Sequence, residues 1–269
     1  VQKLSTVAIE TPGGAGITAT FFKKNFKDTK ILFYTITSKC FAEDFRELGI
    51  EIEFQEIDYK DVIVKERYID VLSKYHLLRV DNDNVVGKHS LSIANISRVI
   101  EENDISCVIM MDYQKGLFDN EIFVIDLISL LKEKDIPIYV DTRTKDLSRF
   151  SGADIIKLND TEYDIASKQY NVSTPQMLAN MLNVSDVIVT KGEEGATLYS
   201  RNGFTVDAKP IYEKTSAAPD VTGCGDAFDS SFCYYYFIEK KCVSTSLRQA
   251  VNKATEFAYQ PIEERLCLP

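Results

Sequence analysis

Five short apolar runs recur along the chain: ILFYTI at 31–36, SCVIMM at 106–111, IPIYVD at 136–141, DIIKLN at 154–159 and DVIVTK at 186–191. Between them lie helical patterns such as NEIFVIDLISLLKEKD at 120–135 and TPQMLANMLN at 174–183. Strands that are apolar on both faces must be covered on both faces, and helices placed between successive strands supply that cover. The alternation predicts an α/β chain with a mostly parallel central sheet in three α/β/α layers, and ligands in such sheets gather at the carboxyl ends of the strands.

Residues 51–82, EIEFQEIDYKDVIVKERYIDVLSKYHLLRVDN, have a different texture. Apolar and charged residues alternate there and no long helix fits, which suits antiparallel strands with one wet face. With KLSTVAIE near the start, this stretch is expected to form a small β-sheet lid or dimer surface, with lid strands from about 1–12 and 51–82. A chain of 269 residues that is 45% hydrophobic can bury one large core, and no repeat or linker divides it, so residues 1–269 are expected to form a single domain. The chain opens at Val1 rather than a methionine, and natural N-terminal residues are expected to be missing from it.

Lys plus Arg total 31 against 41 Asp plus Glu, a net charge of −10, which argues against a nucleic-acid or anionic-membrane surface. An anionic ligand must then be held by local cations and backbone amides. The six cysteines (Cys40, Cys107, Cys224, Cys233, Cys242, Cys267) form no CxxC pair or zinc-ligand cluster, and His76 and His89 are the only histidines. A reduced, cytoplasmic protein without a histidine metal centre is the expectation. No signal peptide or membrane-length apolar run is visible.

No GxxxxGK[ST] phosphate loop occurs. Gly14-Ala15-Gly16-Ile17-Thr18-Ala19 fits a loose dinucleotide pattern, but it follows Thr11-Pro12 instead of a buried strand, and ILFYTI lacks the ribose-binding acid downstream. An NAD site is rejected. More informative is DVTGCGDAFDSSF at 220–232, where Gly223 and Gly225 permit a tight turn just before an apolar helix. Such a turn directs unpaired N–H groups and the positive helix end outward, as an anion hole. Asp226 is then either a good first-turn helix residue or a base that takes a hydroxyl proton beside a transferred phosphoryl group. The short motif alone leaves both open.

This stretch resembles the DTxGAGD signature of the ribokinase-like, or PfkB, carbohydrate kinases. Pro12-Gly13-Gly14-Ala15 resembles the family's di-glycine sugar motif, and Asp112-Tyr113-Gln114-Lys115-Gly116 its DYxKG loop. Lys157-Leu158-Asn159-Asp160-Thr161-Glu162 is similar to its NxxE element, and Val189-Thr190-Lys191-Gly192-Glu193-Glu194-Gly195 to its VTxGxxG nucleotide loop. All follow the family's order and span nearly the whole chain. Residues 138–164 and 74–81 are further similar to the kinase domain of bacterial ADP-heptose synthesis, which phosphorylates D-glycero-β-D-manno-heptose 7-phosphate at its anomeric hydroxyl.

The resemblance implies a ribokinase-like fold and ATP-dependent, magnesium-assisted phosphorylation of a sugar or sugar phosphate. Asp226 is then the general base, with the amides of Gly223, Cys224 and Gly225 as the anion hole; Cys224 replaces an alanine and contributes only its N–H. Asn159 and Glu162 would organise magnesium and its waters, although by themselves they read as a helix cap and its capping-box partner. Lys157 and Lys191 would add positive charge; Thr190, Gly192 and Gly195 would flank the nucleotide, and Asn252 the adenine. Asp220 and Thr222 match positions that bind a monovalent cation in some relatives, but PIEERLCLP does not reproduce the rest of that site.

Gly13 and Gly14 would let the sugar approach the backbone, while Ile17 stands where the subgroup has an asparagine, and the family's sugar-binding aspartate on the first strand is not visible. Arg79, Asp81, Asp112, Lys115 and Arg143 are candidates for sugar hydroxyls or a sugar phosphate, with surface salt bridging as the alternative. Two rivals stay open: a family member acting on ribose, fructose, a keto-deoxy sugar acid or a nucleoside, and a silent relative that only binds sugar or nucleotide. A homodimer paired through the lid is also expected.

Overall fold

The computed structural model describes residues 11–70, 76–82, 91–211 and 219–261. Helix α1 (Gly14–Asn25) starts directly after the di-glycine and buries Ile17, Phe21 and Phe22. Strand β1 (Leu32–Thr37), helix α2 (Lys39–Glu47) and strand β2 (Glu51–Glu56) follow, and β1 and β2 pair in parallel. Residues 51–56, grouped above with antiparallel lid strands, therefore lie in a parallel pair. Ile52 packs with Ala42 and Phe45 of α2 while Glu51 and Glu53 face water. One-sided cover produces the same alternation in a parallel edge strand as in an antiparallel one, so the pattern could not separate them.

Strands β3 (Val64–Ile69) and β4 (His76–Asn82) form the antiparallel hairpin expected from residues 51–82. Tyr68, Leu77, Leu78 and Val80 are exposed on it. Residues 1–10, with KLSTVAIE, lie outside the described residues, as do His89 and Cys267.

After helix α3 (Ile93–Glu102) comes the main sheet. Strands β5 (Val108–Asp112), β6 (Ile138–Thr142), β7 (Ile155–Asn159) and β8 (Asp186–Thr190) are parallel, and β9 (Ala196–Ser200) and β10 (Thr205–Ala208) extend the sheet antiparallel. Helices α4 (Glu121–Glu133), α5 (Asp160–Gln169) and α6 (Pro175–Met181) cover one face. The other face is covered by α1, by α7 (Cys224–Cys233) with its π-helical continuation (Tyr234–Ile238), and by α8 (Val243–Tyr259). Successive residues go to opposite layers: Ile138, Val140, Ile156 and Leu158 pack under α4 and α5, whereas Tyr139, Ile155 and Ile188 pack under α7 and α8. Both faces are thus apolar, which is why these strands read as unbroken hydrophobic runs. β1 and β5 are not paired with each other, and both border one cleft that continues to the carboxyl ends of the parallel strands. No helix among the described residues is long and apolar enough to cross a membrane.

Candidate active site

Strand register assembles the floor of the site. Asp112 pairs with Thr142, Asp141 with Lys157, and Asn159 with Thr190. Because β5 to β8 run parallel, these residues share one rim, and a cleft of about 2660 Å³ opens along it.

The glycine turn meets that rim from above. Gly223 caps α7 at φ 82, a left-handed backbone that suits glycine, and a Cβ there would come within 3.1 Å of the Phe257 ring. The amide of Cys224 donates to the Val221 carbonyl at 3.2 Å, so this N–H, expected in the anion hole, is used to close the turn. The amides of Gly223 and Gly225 donate to no acceptor among the described residues. Two of the three expected donors are therefore open at the helix end, where the dipole adds to them. The Cys224 thiol lies 3.8 Å from the Asp220 carbonyl, clear of the backbone function of the turn.

Asp226 lies in the first turn of α7 and borders the cleft, with 8% of its surface exposed. Its Oδ1 accepts from Tyr113 Oη and, at 3.4 Å, from Thr18 Oγ1. Burial pushes the carboxyl up to about 7 and nearby Asp141 adds to the rise, while the Tyr113 hydrogen bond, Lys157 and Arg143 oppose it. A carboxylate of that basicity is partly ionised at neutral pH and is matched to taking a proton from an alcohol.

Beneath the turn lies a charge cluster only partly visible in the sequence. Lys157 Nζ is 2.7 Å from Asp141 Oδ1 and 3.5 Å from Asp229 Oδ2, and Tyr139 donates to Asp229 Oδ1 at 2.6 Å. Burial works against the Lys157 charge, but the two carboxylates outweigh it and hold the ammonium charged. Desolvation pushes the fully buried Asp229 carboxyl well above the usual carboxylate range, with Lys157 opposing. A Cβ on Gly225 would sit 3.6 Å from Lys157 Nζ, so the cation lies directly behind the open amides. Lys157 is therefore a buried, shared cation and not the solvated lysine that is the usual case. Asp141, Asp229, Tyr139 and Tyr113 were not assigned from sequence. The available signal was Asp229 itself, an acid three residues after Asp226 on a helix whose other neighbours are apolar or small.

The remaining expected residues divide. Asn159 and Glu162 form a reciprocal capping box, with both bonds at 2.8 Å, and both border the cleft. Thr190, Gly192 and Gly195 border it too, but Lys191 reaches Thr197 Oγ1 at 3.0 Å on β9, away from it. Asn252 accepts from the Ile211 amide at 3.1 Å and does not line the cleft. Asp220 caps the Thr222 amide at 2.9 Å, and both line the cleft; residues 262–269, most of PIEERLCLP, are outside the described residues. Gly13, Gly14, Lys115 and Arg143 also line the cleft. Asp112 lines the cleft as well, and accepts from the Gln114 amide at 2.8 Å and Thr142 Oγ1 at 2.9 Å, which clamps the loop. Arg79 borders the cleft from the hairpin, where its guanidinium holds Asp81 through two bonds of 2.6 and 2.7 Å.

A sequence profile described as pfkB family carbohydrate kinase matches residues 38–267. The chain belongs to that family. Among curated relatives, the bifunctional protein HldE of Pseudomonas paraeruginosa is 29% identical over 197 residues, covering 71% of this chain and 39% of that protein. HldE of Hydrogenovibrio crunogenus is 28% identical over 165 residues, covering 58% and 32%. The chain thus spans well under half the length of these relatives. Among solved structures, ribokinase from Giardia lamblia superposes with a TM-score of 0.72 at 16% identity, over 98% of this chain and 90% of that one. Phosphofructokinase-2 from Escherichia coli in complex with potassium gives 0.73 at 15%, over 97% and 86%. The fold is ribokinase-like, and the chain belongs with the carbohydrate kinases of the pfkB family.

Proposed function

We propose that this PfkB kinase phosphorylates a sugar phosphate of the heptose 7-phosphate class at its anomeric hydroxyl, with Asp226 as general base. The observation that supports it most is the placement of Asp226, a buried carboxyl with raised basicity, in the same helical turn as the unspent Gly223 and Gly225 amides, on a cleft rim. In this reading the acceptor enters over Gly13 and Gly14 and surrenders its proton to Asp226. Its oxygen bonds to the γ-phosphorus as the bond to the departing ADP oxygen breaks. The open amides, with Lys157 behind them, stabilise charge on the phosphoryl oxygens without reorganising. Lys115 and Arg143 supply cations for a sugar's own phosphate.

Asn159 and Glu162 would hold magnesium. It takes few protein ligands when phosphates and waters complete its shell, and Glu162 keeps Oε1 outside the capping box, with Asn159 beside it. When bound it neutralises phosphate charge. In this reading the β3–β4 hairpin acts as a lid and its exposed apolar residues pair two copies, which light scattering tests; a mass of one chain removes the dimer.

Asp226→Asn is expected to lower turnover at least about a hundredfold, the usual worth of a positioned base, with ATP affinity kept. Retained turnover would falsify the assignment. A panel of sugars and sugar phosphates identifies the acceptor. A second reading, with another acceptor, is favoured by Ile17, whose Cδ1 packs 3.4 Å from where a Gly223 Cβ would lie and offers no amide to a hydroxyl.

A further inference from the structure

The base is already occupied by a group of the protein itself. Tyr113 Oη donates to Asp226 Oδ1, one of the two carboxyl oxygens able to take a proton from an acceptor hydroxyl. Three things hold the ring there. Gly14 lies against it so closely that a Cβ would fall 2.7 Å from a ring carbon. The Arg143 guanidinium stacks over the ring, 4.8 Å from its centroid. Asp112 clamps the loop through Thr142 and the Gln114 amide, and Gln114 at φ 55 with Gly116 at φ 93 turns the chain sharply after Tyr113. Burial, Asp226 and Asp141 all push the phenol's ionisation far upward, so it remains a proton-bearing donor and a poor nucleophile. Gly14 and Arg143, two of these supports, are also among the residues expected above to contact the sugar or its phosphate.

We propose that Tyr113 stands in for the acceptor: with no sugar bound, its phenol takes the hydrogen-bonding position on Asp226 that the acceptor hydroxyl later occupies, and it keeps water from the base. This rests on Asp226 being the base. A sugar seated on Gly14, or a sugar phosphate that draws Arg143 off the ring, removes a support of the phenol as it delivers its own hydroxyl. Proton acceptance is thereby tied to the presence of the right substrate. Without Tyr113 Oη, water can give its proton to Asp226 while its oxygen bonds to the γ-phosphorus and ADP departs with the broken bond's electron pair, which is wasteful hydrolysis of ATP.

Tyr113→Phe removes only the hydroxyl and leaves the ring in contact with Gly14 and Arg143. The test measures magnesium-ATP hydrolysis with no sugar present, from pH 5.5 to 8.5 on the order of half-unit steps, for the parent chain, Tyr113→Phe, Asp226→Asn and the double variant, with melting temperatures alongside. The expected result is a severalfold rise in hydrolysis for Tyr113→Phe that vanishes in the double variant. Its acid limb is expected at higher pH than the parent's. The phenol favours the ionised carboxyl, as do Lys157 and Arg143, against burial and the charges of Asp141 and Asp229, with Thr18 the other donor facing it. Parent-level hydrolysis in Tyr113→Phe, while Asp226→Asn still abolishes transfer to sugar, overturns the stand-in and leaves the base assignment intact. A rise that survives Asp226→Asn overturns the base assignment itself. A tyrosine with a merely structural role would move the melting temperature and neither other readout.

Discussion

Replacing Lys157 by Met tests the buried cluster most directly. The side chain is 6% exposed and its ammonium is shared by Asp141 at 2.7 Å and Asp229 at 3.5 Å. Met fills much of the same volume, so the loss is electrostatic: two carboxylates remain with no counterion. Removing one member of a buried pair costs roughly 3–5 kcal/mol. At roughly 2–4 °C per kcal/mol for a domain of about this size, the melting temperature should fall by about 6–20 °C. The size of the loss should depend on pH. Stranded buried carboxyls titrate higher when folded than unfolded, so the folded state binds more protons and stability falls as pH rises. The variant should therefore be closer to the parent at pH 5 than at pH 8, on the order of a few kcal/mol apart. Asp229→Asn alone keeps the Lys157–Asp141 pair and the acceptor for Tyr139, and should cost under about 1 kcal/mol. Adding it to Lys157→Met removes one stranded charge and should recover about 1–3 kcal/mol as a coupling energy. Urea unfolding of the four proteins at both pH values measures the cycle. A Lys157→Met loss below about 1 kcal/mol, flat with pH, with no coupling to Asp229, would mean that Lys157 is not the counterion of this cluster.

Further outcomes are expected elsewhere in the site. Asp226→Asn should be more stable than the parent at pH 8 and gain little at pH 5, because a carboxyl raised from 3.8 to about 7 favours the fold only below that window; the ceiling of the gain is about 4 kcal/mol, and equal melting shifts at both pH values would contradict it. Asn159→Ala should cost about 1 kcal/mol for the lost cap. If turnover falls only in proportion to that small instability, Asn159 acts as a cap and has no part in holding magnesium. Gly195→Ala should destabilise by more than about 1–2 kcal/mol, since φ is 94 and a Cβ would lie 2.1 Å from the Ala208 carbonyl oxygen. It should also raise the KM for ATP, and an unchanged KM would detach this turn from the nucleotide.

The parallel core was legible because its strands are apolar on both faces, and the glycine turn because two glycines before an apolar helix have few other uses. The same local signals misassigned residues 51–56, where cover on one side imitates an antiparallel strand. Asp112, Lys191 and Asn252 were legible as polar residues in the right segments. Their side chains nevertheless go to Thr142 and a loop amide, to Thr197, and to Ile211. Motif position reports where a residue lies along the chain, and the direction of a side chain depends on neighbours that the motif does not contain.

From sequence alone, the local chemistry was determined: which runs bury both faces, where a helix begins on an open turn, and which acid follows that turn. Only the tertiary structure decided which amides stay open, that Tyr113, just after β5, meets Asp226 from α7, and that Lys157 lies between acids from β6 and α7. Those pairings join residues between 16 and 113 positions apart. Strand register and helix packing bring them together, and no local periodicity encodes such distances.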